Sequence, residues 1–197
     1  MSTPAMLYDR RTGPGDVIVM DAQGLLGVQA TVAGGVVANQ FSGVTPVNDG
    51  NWHLIAYVYD QSASGSTTLY VDGNYDNSSA TSAAWSWPAF QEIELGRSHD
   101  GYWASLQGSM SDLMIYNRML TEAEVQAAVA GSPVTDSSLV GRYKFTAAPV
   151  AGYRLTTTPI PATIQGSGNV SGAYNNLGGY PSFYVPADGS HFFRAKD

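Results

Sequence analysis

The strongest pattern in this chain is the alternation of apolar and polar positions, with a period of two, that is typical of β-strands. In the segment WHLIAYVYD, every second residue from His53 to Tyr59 falls on one face, and the residues from Leu54 to Val58 between them fall on the other. Further strand-like runs occur at 16–21, 25–32, 35–41, 67–72, 91–97, 110–116 and 138–147, and apolar stretches follow at 180–185 and 191–195. The pattern therefore predicts many short strands.

Two local signals predict a hairpin and a helix. The dipeptide Asp72-Gly73 follows the run TTLYV, and glycine allows the positive φ that a tight hairpin turn needs. The segment TEAE that begins at Thr121 matches a capping box, which predicts a short helix at about 122–130. The polar segment 74–88 lacks such signals, and we expect it to be a loop.

Length and composition are those of one folded domain. A chain of 197 residues fits a single β-sandwich, and 44% apolar with 13% charged residues is typical of a folded protein. Twenty-two glycines and ten prolines suit strands joined by tight turns. We predict one all-β domain over residues 1–197, built as two antiparallel sheets with one short α-helix.

The motifs NDGNWHLIAYVYD, TTLYVDGN, IELGRS and LQGSMSDLMIYNRMLTEAEVQAAV follow one another between residues 48 and 130. Their order resembles a laminin G-like domain of the concanavalin A-like lectin/glucanase superfamily. The resemblance implies a jelly-roll sandwich, and it implies recognition of a glycan or of a protein.

The last third of the chain departs from the usual order of this family. A strand like LVGRYKF normally opens the domain, whereas here it follows the other motifs. Residues 138–197 are either the truncated start of a second copy or, in a circular permutation, the strands normally found at the N-terminus. We favour permutation because a half-copy would leave apolar faces unburied. Permutation predicts that strand 139–146 pairs antiparallel with strand 110–117.

Charge and cysteine content exclude several classes of function. The net charge of −7 and only nine basic residues argue against nucleic acid as a partner. The absence of cysteine excludes disulfides and thiolate chemistry. The chain begins without the basic and apolar segments of a classical signal peptide, and no apolar run approaches the ~20 residues of a membrane helix. We expect no membrane insertion.

The sharpest candidate for catalysis is the pair Glu92 and Glu94 in QEIELGR. Both carboxylates would share one face of a strand, as in the E-x-D-x-x-E pattern of sandwich glucanases. Here Glu94 stands in place of the aspartate, and Arg97 stands in place of the second glutamate. We therefore expect two solvated glutamates on an exposed face, no catalytic residues and no enzymatic activity.

A calcium site is a further implication of the resemblance. Laminin G-like domains often hold Ca²⁺ near a loop rim with carboxylate and carbonyl oxygens. The matching position is Asp112, with Asp100 and Asn48 or Asp49 as loop ligands, although such residues equally suit turns. His53 is expected to pack or to bond locally, and no other cofactor is expected.

Aromatic residues give the predicted ligand-binding surface. Flat rings form platforms for sugar rings, and neighbouring polar groups bond the hydroxyls. Alternatively, these rings pack on the edge of the core or form a protein interface, where Trp and Tyr are enriched. The predicted ligand-binding residues are Trp85, Trp87, His99, Tyr102 and Trp103.

These observations predict a non-catalytic recognition or decoration module at the exterior of an assembled particle or cell surface, such as a phage virion. Its partners would be glycans or neighbouring proteins. Further copies of the chain, in a homo-oligomer, are one kind of neighbouring protein. Its location would be extracellular or on a virion surface, as for an adhesion protein. The alternatives are a free carbohydrate-binding lectin and, less favoured, a glucanase-type glycoside hydrolase.

Overall fold

The computed structural model describes residues 4–10, 15–32, 37–60, 65–80, 92–98, 100–144, 153–156, 162–166, 175–180 and 189–196. For residues 38 and 92 and for the last four ranges, only the backbone is described. The strands in chain order are β1 (Ala5–Arg10), β2 (Gly15–Met20), β3 (Leu26–Thr31), β4 (Val37–Ser42), β5 (His53–Tyr59), β6 (Ser66–Val71), β7 (Asn74–Ala80), β8 (Glu92–Leu95), β9 (Ala104–Ser105), β10 (Ser109–Tyr116), β11 (Leu139–Lys144), β12 (Tyr153–Thr156), β13 (Ala162–Gly166), β14 (Asn175–Tyr180) and β15 (Gly189–Lys196).

Within the described part of the chain these strands form two sheets. The larger sheet has the order β14-β13-β12-β8-β1-β2-β3-β4, with the short β9 pairing parallel beside β1. The smaller sheet has the order β11-β10-β15-β5-β6-β7. All strand pairs other than β1 with β9 are antiparallel. The predicted all-β, two-sheet sandwich is therefore confirmed.

The main core lies between the two sheets. Tyr8, Ile18 and Leu95 of the larger sheet belong to the same buried cluster as Ile55 and Leu113 of the smaller sheet. Burial of both inner faces stabilises the packing of the sheets by about 25 cal/mol for each Å² of apolar surface removed from water. The predicted alternation in β5 is confirmed, because Ile55 lies in this core while Leu54 lies in a second cluster on the other face.

The second cluster lies between the smaller sheet and the helix α1 (Glu122–Val129). The capping box is confirmed: the Thr121 side chain accepts a bond from the backbone N–H of Glu124, and the Glu124 carboxylate accepts one from the backbone N–H of Thr121. Val125 and Ala128 of α1 are buried against the outer face of the sheet. No helix in the described residues is long and apolar enough to cross a bilayer.

The strands that end the chain are hydrogen-bonded into both sheets. The predicted pairing of strand 139–146 with strand 110–117 is confirmed, since β11 runs antiparallel to β10 with Leu139 opposite Tyr116. Strand β15 lies between β10 and β5, and strand β12 pairs with β8. The description of residues 1–197 as one circularly permuted domain, rather than as a domain and part of another, stays a prediction.

The expected loop at 74–88 is wrong for its first half, because Asn74–Ala80 forms strand β7. Asp72 and Gly73 both have positive φ, 51° and 82°, and this turn folds β7 back onto β6. The polar sequence of β7 suits its place at the edge of the smaller sheet. A single apolar face was therefore not needed for this strand to form.

Candidate functional site

The outer face of the larger sheet carries a row of neighbouring residues across five strands. Because Tyr8, Ile18 and Val28 lie in the core, the residues beside them in each strand lie on the opposite, outer face. The register of the strands defines this row, which consists of Glu94, Asp9, Val17, Gln29 and Gln40 in that order. Its members come from β8, β1, β2, β3 and β4.

A groove of about 280 Å³ lies at one end of this row, over β2, β3 and β4. Among its lining residues are Val17, Val19, Gln29, Gln40, Ser42 and Trp103. An apolar floor, one aromatic wall and a few polar groups that converge on it are the usual composition of a ligand pocket. We call this cavity the outer-face groove.

Polar groups in the outer-face groove are held in place before any ligand arrives. The Gln29 amide nitrogen donates to the Gln40 side-chain oxygen at 3.5 Å, so the two amides are paired. The Asp21 Oδ1 atom accepts hydrogen bonds from the backbone N–H groups of Gln23 and Leu25, each at 2.9 Å. These bonds orient the Asp21 carboxylate, which lines the groove and whose oxygens are hydrogen-bond acceptors.

The other end of the row is closed. Asp9 and Glu94 are only 1% and 2% exposed, although both lie on the outer face. The Ser98 hydroxyl donates to Asp9 Oδ2, and the Arg97 guanidinium lies 3.5 Å from Glu94 Oε1. The expectation of solvated glutamates is therefore wrong for Glu94, because the segment after β8 folds back over it and supplies both partners.

The loop that follows this segment carries two of the predicted ligand-binding residues. Asp100 Oδ1 accepts the backbone N–H of Tyr102 at 3.0 Å, which fixes the turn. The rings of Tyr102 and Trp103 meet edge to face with centroids 5.0 Å apart. Tyr102 is 67% exposed, whereas Trp103 is half-buried and lines the outer-face groove. Trp103 therefore keeps part of its surface accessible at the groove.

The other three predicted ligand-binding residues, Trp85, Trp87 and His99, lie outside the described residues. Their role in ligand binding stays a prediction. The exposed Trp52, with 48% of its surface accessible, was not predicted as a ligand residue and does not line the groove.

The structure places the three predicted calcium ligands on different elements. Asp112 Oδ2 accepts a hydrogen bond from Arg142 at 3.2 Å in the smaller sheet, and Asp100 caps the turn before Tyr102. Asp49 accepts hydrogen bonds from Asn51 in its own loop. Among the described residues, no three His, Asp or Glu side chains form a group suited to a metal ion. Calcium binding stays a prediction.

His53 connects a loop to the hairpin turn, which agrees with the local role expected for it. Its Nε2 atom lies 2.9 Å from Asp49 Oδ1, and its Nδ1 atom lies 2.7 Å from Asp72 Oδ2. Burial lowers the pKa of His53, but hydrogen bonds to the Asp49 and Asp72 carboxylates raise it more, so its pKa lies above the ordinary value. Asp72 Oδ1 also accepts the Leu54 N–H at 2.8 Å.

These bonds predict a pH-dependent contribution to stability. A raised folded-state pKa means that protonated His53 stabilises the fold below its unfolded pKa of about 6.5, and that this stabilisation is lost as the pH rises through the folded pKa. His53→Gln should lower the free energy of unfolding more at about pH 5.5 than at about pH 9. This decrease should stay below about 1 kcal/mol, because both carboxylates are partly exposed. Urea denaturation of both proteins at the two pH values measures this, and an equal loss at both would contradict it.

Sequence reasoning missed the polar residues of the outer-face groove. The alternation in LGVQAT and VANQFS places Gln29 and Gln40 between inward-facing residues, and this was the available signal. The alternation does not reveal that β3 and β4 pair with these two residues opposite one another. It also does not reveal that a loop about 70 residues later along the chain brings Trp103 beside them.

Comparison with known proteins identifies a family for this chain. The family model described as concanavalin A-like lectin/glucanases superfamily, a laminin G type, matches residues 3–126, which is more than half of the chain. Searches of curated proteins and of solved structures found no significant match.

Proposed function

We propose that this chain, which belongs to the concanavalin A-like lectin/glucanase superfamily, is a non-catalytic recognition module that binds a glycan in the outer-face groove. The domain type itself fits a carbohydrate- or protein-binding module. The observation that carries the choice of a glycan is the composition of the groove. A partly exposed indole, a pair of amides and a fixed carboxylate line one cavity.

Each of these groups has a counterpart in the chemistry of a sugar. An indole face matches the apolar face of a pyranose ring, and the contact with the Tyr102 ring at 5.0 Å holds the Trp103 ring in place. The pairing of Gln29 with Gln40 uses one donor and one acceptor, so the Gln29 carbonyl oxygen and the Gln40 amide group have capacity for hydroxyls. Such polar groups fix the orientation of a ligand on an apolar floor.

The proposal of a non-catalytic role is supported by the surroundings of Glu94. In a glucanase of this superfamily, a free acid protonates the leaving sugar. Here Arg97, which lies beside Glu94, stands in place of that acid, and a guanidinium stays protonated at any physiological pH. Asp9 and Glu94 are also closed off from the groove by burial.

We place this module at the exterior of an assembled particle or a cell surface, as in a phage virion. Support comes from the net charge of −7, which favours solubility over binding to nucleic acid, and from the superfamily's use in recognition. Neighbouring proteins of the assembly, or further copies of the chain, are the second class of partner. A free lectin is the alternative, and a glucanase is the less favoured one.

Trp103→Ala is expected to weaken glycan binding by about tenfold to a hundredfold, because it removes the ring that stacks on the sugar. The measurement is a glycan array with the purified protein, followed by calorimetric titration of the strongest oligosaccharide. The free energy of unfolding should change little enough that the variant stays folded, since Trp103 is only half-buried and lies outside the core.

The matched control is Trp52→Ala, which removes an exposed indole that does not line the groove and should leave affinity unchanged. Equal losses for both variants, or no glycan bound by the wild-type protein, would contradict the proposal. Release of reducing ends from a β-glucan, abolished by Glu92→Gln, would favour the glucanase instead. Retention of the protein on its particle without any glycan would favour protein neighbours as the partner.

A further inference from the structure

We infer that the outer-face groove selects uncharged glycans and excludes acidic ones, such as sialylated, sulfated or uronic-acid sugars. This inference rests on the proposed function and names the chemical class of its ligand. It is carried by the charges in and around the groove, which are negative or paired wherever the structure describes them.

The lining of the groove contains one ionised side chain among its described residues, and that side chain is an acid. Asp21 is held at the groove by two backbone N–H groups, so its carboxylate cannot swing away easily from a ligand. No lysine or arginine belongs to the described lining. A carboxylate or sulfate entering this cavity would lose water without gaining a counter-charge, and burial of an unpaired charge is costly.

The closed end of the same row does not supply a free cation either. Asp9 and Glu94 contribute two negative charges there, against which Arg97 contributes one positive charge that lies beside Glu94. The backbone register places Arg154 of β12 opposite Glu94, three strands away from Val17, which lines the groove. The charges at this end of the row therefore do not attract an anion into the groove.

The remaining basic residues in the described part of the chain lie elsewhere in the fold. Arg10 is buried in the core with Asp16, and Arg118 lies beside α1 with Glu124. The others lie in β11 and β15 of the smaller sheet, namely Arg142, Lys144, Arg194 and Lys196. The basic side chains that the structure describes thus lie away from the outer face of β2, β3 and β4.

The polar groups that remain in the groove suit a neutral ligand. Gln29, Gln40 and Ser42 offer amide and hydroxyl groups, which both donate and accept hydrogen bonds without charge. A sugar hydroxyl has the same dual character, whereas a carboxylate or sulfate only accepts. Asp21 accepts from a hydroxyl but repels an anion. The groove therefore discriminates by charge while it tolerates different arrangements of hydroxyls.

The experiment compares matched pairs of glycans on the wild-type protein. The probes are N-acetyllactosamine with its sialylated and sulfated forms, and neutral cello- and laminari-oligosaccharides with oligogalacturonate, printed on one array and then titrated in solution. For any neutral glycan that binds, we expect the acidic partner to bind at least tenfold more weakly at low salt. The preference should shrink at about 1 M salt, where the Debye length is about 3 Å.

A charge placed in the groove should reverse the preference. Gln29→Lys supplies an ammonium group, and we expect it to raise the affinity for the acidic glycan at least fivefold. Gln29→Met removes the amide without adding charge, and it should lower the affinity for the neutral glycan without improving that for the acidic one. Ser66→Lys adds the same charge at an exposed position of the smaller sheet and should not change the preference.

The outcomes separate the inference from the proposed function. Equal binding of neutral and acidic forms by the wild-type protein, or tighter binding of the acidic form, overturns the inference while the proposed function stands. An equal gain from Ser66→Lys and Gln29→Lys also overturns it, because the effect would then belong to net charge. Binding of neither form overturns the proposed function and this inference together.

Discussion

A chain cut after Ser138 is expected to lose cooperative folding, although it keeps all of the residues that match the family. The reason is the position of β15, which lies between β10 and β5, with its register running from Gly189 opposite Tyr59 to Ala195 opposite His53. Without β15, two strands of the smaller sheet would each expose an open edge beneath the core, and open edges promote aggregation. Denaturation by urea, followed by tryptophan fluorescence, should show no cooperative transition.

The matched control is a full-length chain cleaved at a protease site placed in the connection between α1 and β11. Cleavage breaks the same covalent link but keeps every strand, so the two fragments should stay associated and unfold cooperatively. Addition of the 139–197 fragment to the shortened chain should restore part of the transition. A shortened chain that unfolds cooperatively with an undiminished free energy would contradict the prediction of one domain over residues 1–197.

Arg10→Met is expected to lower the free energy of unfolding by about 3–5 kcal/mol, because it leaves a buried carboxylate without its partner. The Arg10 Nε atom donates to Asp16 Oδ1 at 2.7 Å, and both side chains are fully buried between the sheets. The Arg10 guanidinium also lies over the Tyr59 ring at 5.9 Å. Burial raises the pKa of Asp16, and Arg10 is the main group that opposes this rise.

The size of the loss should depend on pH. In Arg10→Met, Asp16 would be buried as the neutral acid, so its folded pKa would lie above its unfolded value of about 3.9. Folding would then be favoured at low pH, and the free energy of unfolding would fall as the pH rises above about 4 until it reaches the folded pKa. Chemical denaturation at several pH values measures this slope.

A double replacement separates charge from packing. Arg10→Met combined with Asp16→Leu removes both charges, and we expect it to be more stable than Arg10→Met alone because no buried charge lacks a partner. A double variant that is as unstable as the sum of the two single variants would contradict this explanation. It would indicate that shape, and not the charge pair, determines stability at this position.

Local chemistry was enough to predict several elements of this fold. The apolar alternation of β5 needs only the two-residue period of a strand, and the capping box at Thr121 needs only neighbours within one helical turn. The Asp72-Gly73 turn likewise depends on its own φ values, of which that of Gly73 is 82°. The strand period, the capping box and the turn each depend on a few consecutive residues, so the sequence alone predicts them.

Other features depended on partners that are distant in sequence. The polar sequence of β7 predicts a loop. A strand forms instead because this segment pairs with β6 at the edge of the sheet. The strand pattern alone predicts that Glu94 is solvated. Its burial depends on Asp9, which lies opposite it across the strand pair, and on the return of the segment after β8 over it. The pairing with Asp9 cannot be identified from the residues around 94.

For the candidate site, the residue types can be read from the sequence: the aromatic pair Tyr102 and Trp103, and amides on the polar face of β3 and β4. The arrangement of these residues depends on the fold, which sets Gln29 opposite Gln40 and brings Trp103 to the same groove. The physical reason is that a side chain's face follows from local backbone period, whereas its neighbours follow from strand register. Register is set by the burial of two whole sheets against each other, and no short segment contains that information.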